Sequence, residues 1–159
     1  MENNSGAKIL SGIAGEYFVA GELSRRGYIA SITLRNTAHT DVLASYGDKA
    51  VNIQIKTRCI EKADGWDLGS KPLETSKSNN NTFYVLVAIS SNPDKKEIDY
   101  YIIPKNEFNK RVEENFLYWK SSNKRNGETK KSERRFFRIN EHPNFNIDKY
   151  KDNWSKLFT

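Results

Sequence analysis

Asp41, Gln54 and Lys56 bring an acid, an amide carbonyl and an amine into one short stretch, residues 40–57. Two runs rich in apolar residues, 40–46 and 49–57, meet at Gly47-Asp48-Lys49, which has the composition of a hairpin turn. Side chains alternate across a strand. Val51, Ile53 and Ile55 therefore share one face of the second run, and Asn52, Gln54 and Lys56 share the other. On adjacent strands an acid, a carbonyl and an amine suit the holding of a hard divalent cation beside a phosphate. Such ions take oxygen ligands, and the amine offsets phosphate charge. The plain alternative is a solvated polar row, with Asp41 a turn-type residue opening a hairpin strand.

The elements that must position these groups can be read from periodicity. Residues 9–26 form a helix by pattern, with Ile9, Ile13, Ala20 and Leu23 as its apolar stripe and Gly27 as its C-cap. Glu16 lies inside that stripe. A carboxylate aimed at a core needs a partner, because an unpaired buried charge is costly. Glu16 therefore reaches the site, makes a salt bridge at the sheet margin, or is rotated to the surface. Residues 28–34 read as the first strand, ahead of the hairpin. Residues 58–81 carry Gly, Pro, Ser and Asn throughout and read as a long connection. An apolar strand follows at 82–89, and another at 99–103 is stopped by Pro104. Residues 105–120 read as a helix with Phe108, Val112, Phe116 and Trp119 on one face. A short strand at 135–139 and a terminal helix at 150–158, docked by Trp154 and Leu157, complete the chain. No repeat or boundary divides residues 1–159, so one domain is expected. Its class is α/β (α+β), a central mixed sheet of about five strands flanked by helices.

The spacing of Asp41 from Gln54-x-Lys56 resembles the PD-(D/E)XK nuclease superfamily, and within it the branch of archaeal Holliday-junction resolvases and restriction-type endonucleases. Gly12-Ile13-Ala14-Gly15-Glu16-Tyr17-Phe18-Val19-Ala20 and Leu23-Ser24-Arg25-Arg26-Gly27-Tyr28 resemble that branch's first helix and exit turn. The resemblance runs over residues 9–104. It implies a restriction-endonuclease-like sheet and a metal-dependent endonuclease that hydrolyses DNA in repair, recombination or restriction, with Mg²⁺ or Mn²⁺ as cofactor. It makes Asp41 the charged metal ligand, Gln54 an amide-oxygen ligand, and the backbone carbonyl of Ile55 a further ligand. Lys56 would orient or help deprotonate the attacking water. Glu16 would bind the metal through water or complete a second site. Gln54 departs from the commoner Glu or Asp at its position. A neutral amide removes a negative charge, which weakens metal binding and leaves open a catalytically weak or inactive nucleic-acid-binding module. Branched or foreign DNA is the implied partner, and a homodimer would match a two-fold symmetric substrate.

Charge points the same way. The net charge is +6. Residues 1–103 balance, with 12 basic and 12 acidic side chains, so the excess lies in residues 104–159 and is densest at 120–138. There Lys124, Arg125, Lys130, Lys131, Arg134 and Arg135 are the candidate nucleic-acid contacts. A solvated loop is the alternative. Phe136-Phe137, set among these arginines, reads as one core and one edge residue more readily than as a base-stacking pair.

Other chemistries are poorly served. Cys59 is the one cysteine, so an internal disulfide or a Cys-rich zinc site is excluded, and a reducing cytoplasm fits. His39 and His142 are too few for a His-rich metal centre. Aromatic content of 12% supplies a folded core despite only 36% hydrophobic residues. No apolar run is long enough to span a membrane, and no signal peptide is expected at the N-terminus.

Overall fold

The computed structural model describes residues 4–34, 40–75, 81–121, 128–139 and 145–159. Helix α1 (Asn4–Arg25) leads into strands β1 (Ile29–Ile32), β2 (Val42–Tyr46), β3 (Lys49–Cys59), β4 (Gly65–Gly69), β5 (Thr82–Ile89) and β6 (Ile98–Pro104). Helix α2 (Lys105–Ser121), strand β7 (Arg135–Arg138) and two single 3₁₀ turns, Asp148–Tyr150 and Trp154–Leu157, follow. The main sheet runs β1-β2-β3-β5-β6, and β4 pairs with β7 in a separate ribbon. Among the described strands only the β3–β5 pairing is parallel. The class is mixed α+β: a five-stranded mixed sheet flanked by two helices, in agreement with the sequence pattern.

β5 explains the architecture. Every residue of Thr82–Ile89 is buried, because both faces of this central strand are covered. Phe83, Val85, Val87 and Ile89 join Val19 and Leu23 of α1 in one core cluster. Tyr84, Leu86 and Ala88 join Phe108 and Val112 of α2, with Trp66 and Phe137 of the ribbon, in the other. β3 alternates as its sequence requires: Val51, Ile53 and Ile55 belong to the α1-side cluster.

Helix α1 ends as its glycine directs. Gly27 has φ +83, and the Gly27 and Tyr28 amides donate to the Ser24 and Leu23 carbonyls at 3.0 and 3.1 Å. This closes the helix with a Schellman turn. The buried stripe differs from the expected one. Gly15, Val19 and Leu23 are buried, whereas Ile9 is 54% exposed and Ile13 and Ala20 are half-buried. Rotation of the helix leaves Glu16 half-buried at the margin of its packed face.

Two further expectations are corrected. Residues 58–81 do not form a plain connection, because Gly65–Gly69 is a strand that exists through its pairing with β7. A Cβ on Gly65 would collide with the Phe137 carbonyl, so the residue that makes the segment look like a loop is what lets the ribbon close. Residues 150–158 are not a helix. Lys151 is extended and bridges to Tyr101, and the Asp152 amide donates to the Tyr100 carbonyl at 2.9 Å. Asp152 then turns with φ 51. The segment covers the open edge of β6 and winds only in the single 3₁₀ turn Trp154–Leu157. Trp154 and Leu157 still dock, each nearly inaccessible.

Candidate active site at the end of the β2–β3 ladder

Asp41 stands where β2 stops pairing with β3. Val42 is opposite Ile53, and the Asp41 amide donates to the Ile53 carbonyl at 2.8 Å. Val42 and Asp41 thus both meet Ile53, while the Asp41 carbonyl accepts the Thr33 amide on the other side at 2.9 Å, so the regular register ends here. The backbone groups of alternate residues in a strand point to the same edge. Ile55 therefore directs its amide and carbonyl to the edge that β2 has just left. The Asp41 carboxylate accepts the Ile55 amide there at 2.6 Å. The Ile55 carbonyl faces the same gap.

Gln54 and Lys56 project from β3 on the face opposite Val51, Ile53 and Ile55, and both are half-buried. Their β5 partners are Tyr84 and Leu86, which belong to the α2-side cluster. The Gln54 Oε1 atom is buried and has no hydrogen-bond partner. A buried carbonyl oxygen left unsatisfied is destabilising, so its presence calls for an explanation such as a bound ion. An amide oxygen, a carboxylate and a peptide carbonyl are all suitable donors to Mg²⁺ or Mn²⁺, so the residues present fit such an ion.

Glu16 belongs to α1, which packs on the other face of the sheet. Helix α1 crosses β3 at Gly15, where a Cβ would collide with Thr57 Oγ1, a buried hydroxyl without a partner. Glu16 is one residue past that crossing. The helix gains about 1 kcal/mol from a Gly-to-Ala change where space is free, but overpacking costs about 1–3 kcal/mol. Gly15→Ala should therefore lower thermal stability, while Gly21→Ala, with open space around it, should raise it. Equal shifts in the two melting temperatures would mean that α1 does not press on β3 at Gly15.

Two neighbours of these groups along the sheet, Tyr84 and Arg58, are not singled out by the sequence. Burial first, and the Asp41 charge second, push the Tyr84 hydroxyl up to about 12, which keeps it protonated near the carboxylate. Its position follows from the β3–β5 register, which an all-apolar run does not reveal. Arg58 continues the polar row because β3 runs on to Cys59. Its guanidinium lies 4.6 Å from the Trp66 ring centroid, and Nη1 donates to the Ala63 carbonyl at 2.6 Å.

The basic candidates divide. Lys124 and Arg125 lie outside the described residues. Lys131 is exposed, and Lys130 donates to the Trp119 carbonyl at 3.0 Å. Arg134 is largely exposed but pairs with Asp67, which also binds Lys8 at 3.2 Å. Burial raises the Asp67 pKa, but hydrogen bonds from Arg134, the Gly69 amide and Lys8 outweigh it and hold the carboxyl below its usual range. Arg135 is turned inward, contrary to its expected role at a polyanion. It is 5% exposed and donates to both oxygens of Glu113, at 2.9 and 3.2 Å, and to the Ser70 and Glu133 carbonyls. The alternation of β7 places Arg135 on the same inward face as Phe137. Phe136 is half-buried and Phe137 fully buried, so the pair is one edge and one core residue.

Two clefts, of about 320 and 350 Å³, lie away from these groups. One is lined by Thr82, Pro104 and Lys156 among others, and the other by Asp48, Asn81 and Phe158 among others. Among the described residues no helix is long and apolar enough to cross a membrane.

No protein-family model matches the chain, and no curated protein matches it in sequence. Its structure is similar to that of a bacterial homing endonuclease, with a TM-score of 0.53 and 13% identity over 92% of this chain and 89% of the other. At that identity the likeness is one of fold: the chain has an endonuclease-like architecture.

Proposed function

We propose that the chain is a metal-dependent endonuclease of the PD-(D/E)XK type that hydrolyses DNA phosphodiester bonds. The observation that carries this reading is the buried, unsatisfied Gln54 Oε1, one residue along β3 from the Ile55 amide that holds the Asp41 carboxylate, with Lys56 two residues on. Asp41, Gln54 and the Ile55 carbonyl would hold Mg²⁺ or Mn²⁺. When bound, such an ion supplies Lewis-acid stabilisation of phosphate charge and a more acidic water. Lys56 orients the attacking water and offsets charge on the phosphate. The Asp41 carboxylate keeps its geometry through the Ile55 amide. The likeness to a homing endonuclease supports DNA as the substrate, and the basic segment supports a polyanion.

The test is incubation with plasmid, linear, single-stranded and four-way-junction DNA, in Mg²⁺ or Mn²⁺ against EDTA. Asp41→Asn keeps an acceptor for the Ile55 amide while removing the charge, so it separates chemistry from folding. Cleavage is expected to need metal and to be lost in Asp41→Asn. Metal-independent cleavage, or full activity in that variant, would overturn the assignment.

One observation favours a second reading, a nucleic-acid-binding module without catalysis. Among the described residues no three His, Cys, Asp or Glu side chains gather as a metal-binding group. Gln54 supplies an oxygen but no charge. Salt-sensitive binding to DNA, without cleavage under any metal, would select this reading.

A further inference from the structure

The last turn of α2 leaves Leu117, Tyr118 and Trp119 consecutive at the surface, 63%, 77% and 38% exposed. The helix is held by Phe108, Val112 and Phe116, so Tyr118 is not needed for its docking. Large exposed side chains in a row are unusual on a free surface and mark a site of contact.

Their surroundings define the contact. Trp119 stacks on Phe116 with ring centroids 6.1 Å apart and an interplanar angle of 27°. The Arg135 guanidinium lies 3.9 Å from the Phe116 ring centroid and is itself fixed by Glu113. Trp119 is therefore a plate backed by a packed column. The Lys130 ammonium lies 4.8 Å from its ring centroid, and Lys131 is exposed nearby in sequence. Lys120 pairs with Glu133. α2 covers the same face of the sheet to which Gln54 and Lys56 point.

Flat aromatic faces interleaved with lysines match a nucleotide strand, which offers a π face and a phosphate at every step. Bases in a duplex are already stacked on each other. The matching ligand is therefore a strand with unpaired bases. An acidic protein would use the lysines but has no need of the exposed rings.

We propose that the C-terminal end of α2 is a stacking platform for unpaired bases, centred on Tyr118 and Trp119, with the exposed Lys131 meeting a phosphate and Lys130 fixing Trp119 through its carbonyl. It rests on the nuclease reading only in assigning this strand to the enzyme's own substrate, a DNA with a single-stranded portion.

Tryptophan fluorescence gives a direct probe. Of the three tryptophans, Trp66 and Trp154 are each 1% exposed, so quenching by a ligand reports Trp119. The full chain is titrated in EDTA with an oligothymidylate, a duplex of equal length and poly-glutamate. The oligothymidylate should quench. Tyr118→Ala should weaken its binding on the order of tenfold while duplex affinity changes less than about twofold, and Tyr118→Phe should restore it. An unchanged single-strand affinity in Tyr118→Ala, an equal loss on duplex, or equal quenching by poly-glutamate would overturn the proposal. Cleavage is scored separately with metal present. Quenching that survives with no cleavage counts against the nuclease reading alone, and cleavage without quenching counts against the platform alone.

Discussion

Lys56→Ala should reduce metal-dependent cleavage by about 10²–10⁴-fold, the usual contribution of a positioned proton-transfer group. DNA affinity should change by no more than a few-fold. Lys56 is half-buried in the polar row of β3, opposite Leu86, and stands two residues from Gln54. On the proposed function a side chain so placed would meet one phosphate, whereas binding of a long polyanion is spread over many charges. The expected signature is a large fall in kcat with a small change in KM, which marks an interaction made chiefly in the transition state. Lys56→Arg keeps the charge but not the compact ammonium or its readiness to lose a proton, so it should bind DNA as the wild type does without recovering the rate. Retained cleavage in Lys56→Ala would remove the site assignment. A matched loss of affinity and rate would make Lys56 a phosphate anchor only.

The second large effect is on stability. Glu113→Ala should cost roughly 3–5 kcal/mol, the usual penalty for removing one partner of a buried ion pair. The melting temperature should fall on the order of 10 °C. Glu113 accepts Arg135 Nε and Nη2 and also the Leu73 amide, at 2.6 Å. One carboxylate thus ties α2 to β7 and to the segment after β4. Its loss strands a guanidinium that is 5% exposed and frees the column beneath Trp119. The double replacement Glu113→Leu with Arg135→Met should recover much of the loss, because replacing a buried pair by apolar groups is often neutral or better. A melting temperature within about 2 °C of wild type in Glu113→Ala would mean that Arg135 finds water or another acceptor.

Arg135 also shows where reading the chain by residue type fails. It sits in the most basic stretch, with Arg134 beside it, and composition groups the two. The structure separates them by the period of a strand. Arg135 faces Glu113 and Phe116, while Arg134 meets Asp67 at the surface. The partner that buries Arg135 is 22 residues away, and Asp67 is 67 residues from Arg134. Local spacing carries no record of such pairings. Gly65–Gly69 escapes a local reading for the same reason, since its strand character comes from β7 and not from its own residues. The C-terminal segment reads as a helix and is not one, because edge pairing with β6 outweighs the helical spacing of Trp154 and Leu157.

Periods and special residues are written into the chain itself. The alternation of Val51, Ile53 and Ile55 with Asn52, Gln54 and Lys56 set which face of β3 joins the α1-side core and which carries the polar row. The unbroken apolar run at 82–89 required a strand covered on both faces. Gly27 required the end of α1, because only a residue without Cβ takes that turn freely. Those signals are local: each depends on a few neighbouring side chains and on backbone geometry. Contacts between distant segments supplied the remainder. They rotated α1 so that Gly15 presses on Thr57, buried Tyr84 within the field of the Asp41 charge, left Gln54 Oε1 without a partner and turned Arg135 inward. Burial periodicity says that a face is covered, but which groups cover it depends on how remote elements pack, and that packing sets the electrostatics of the site.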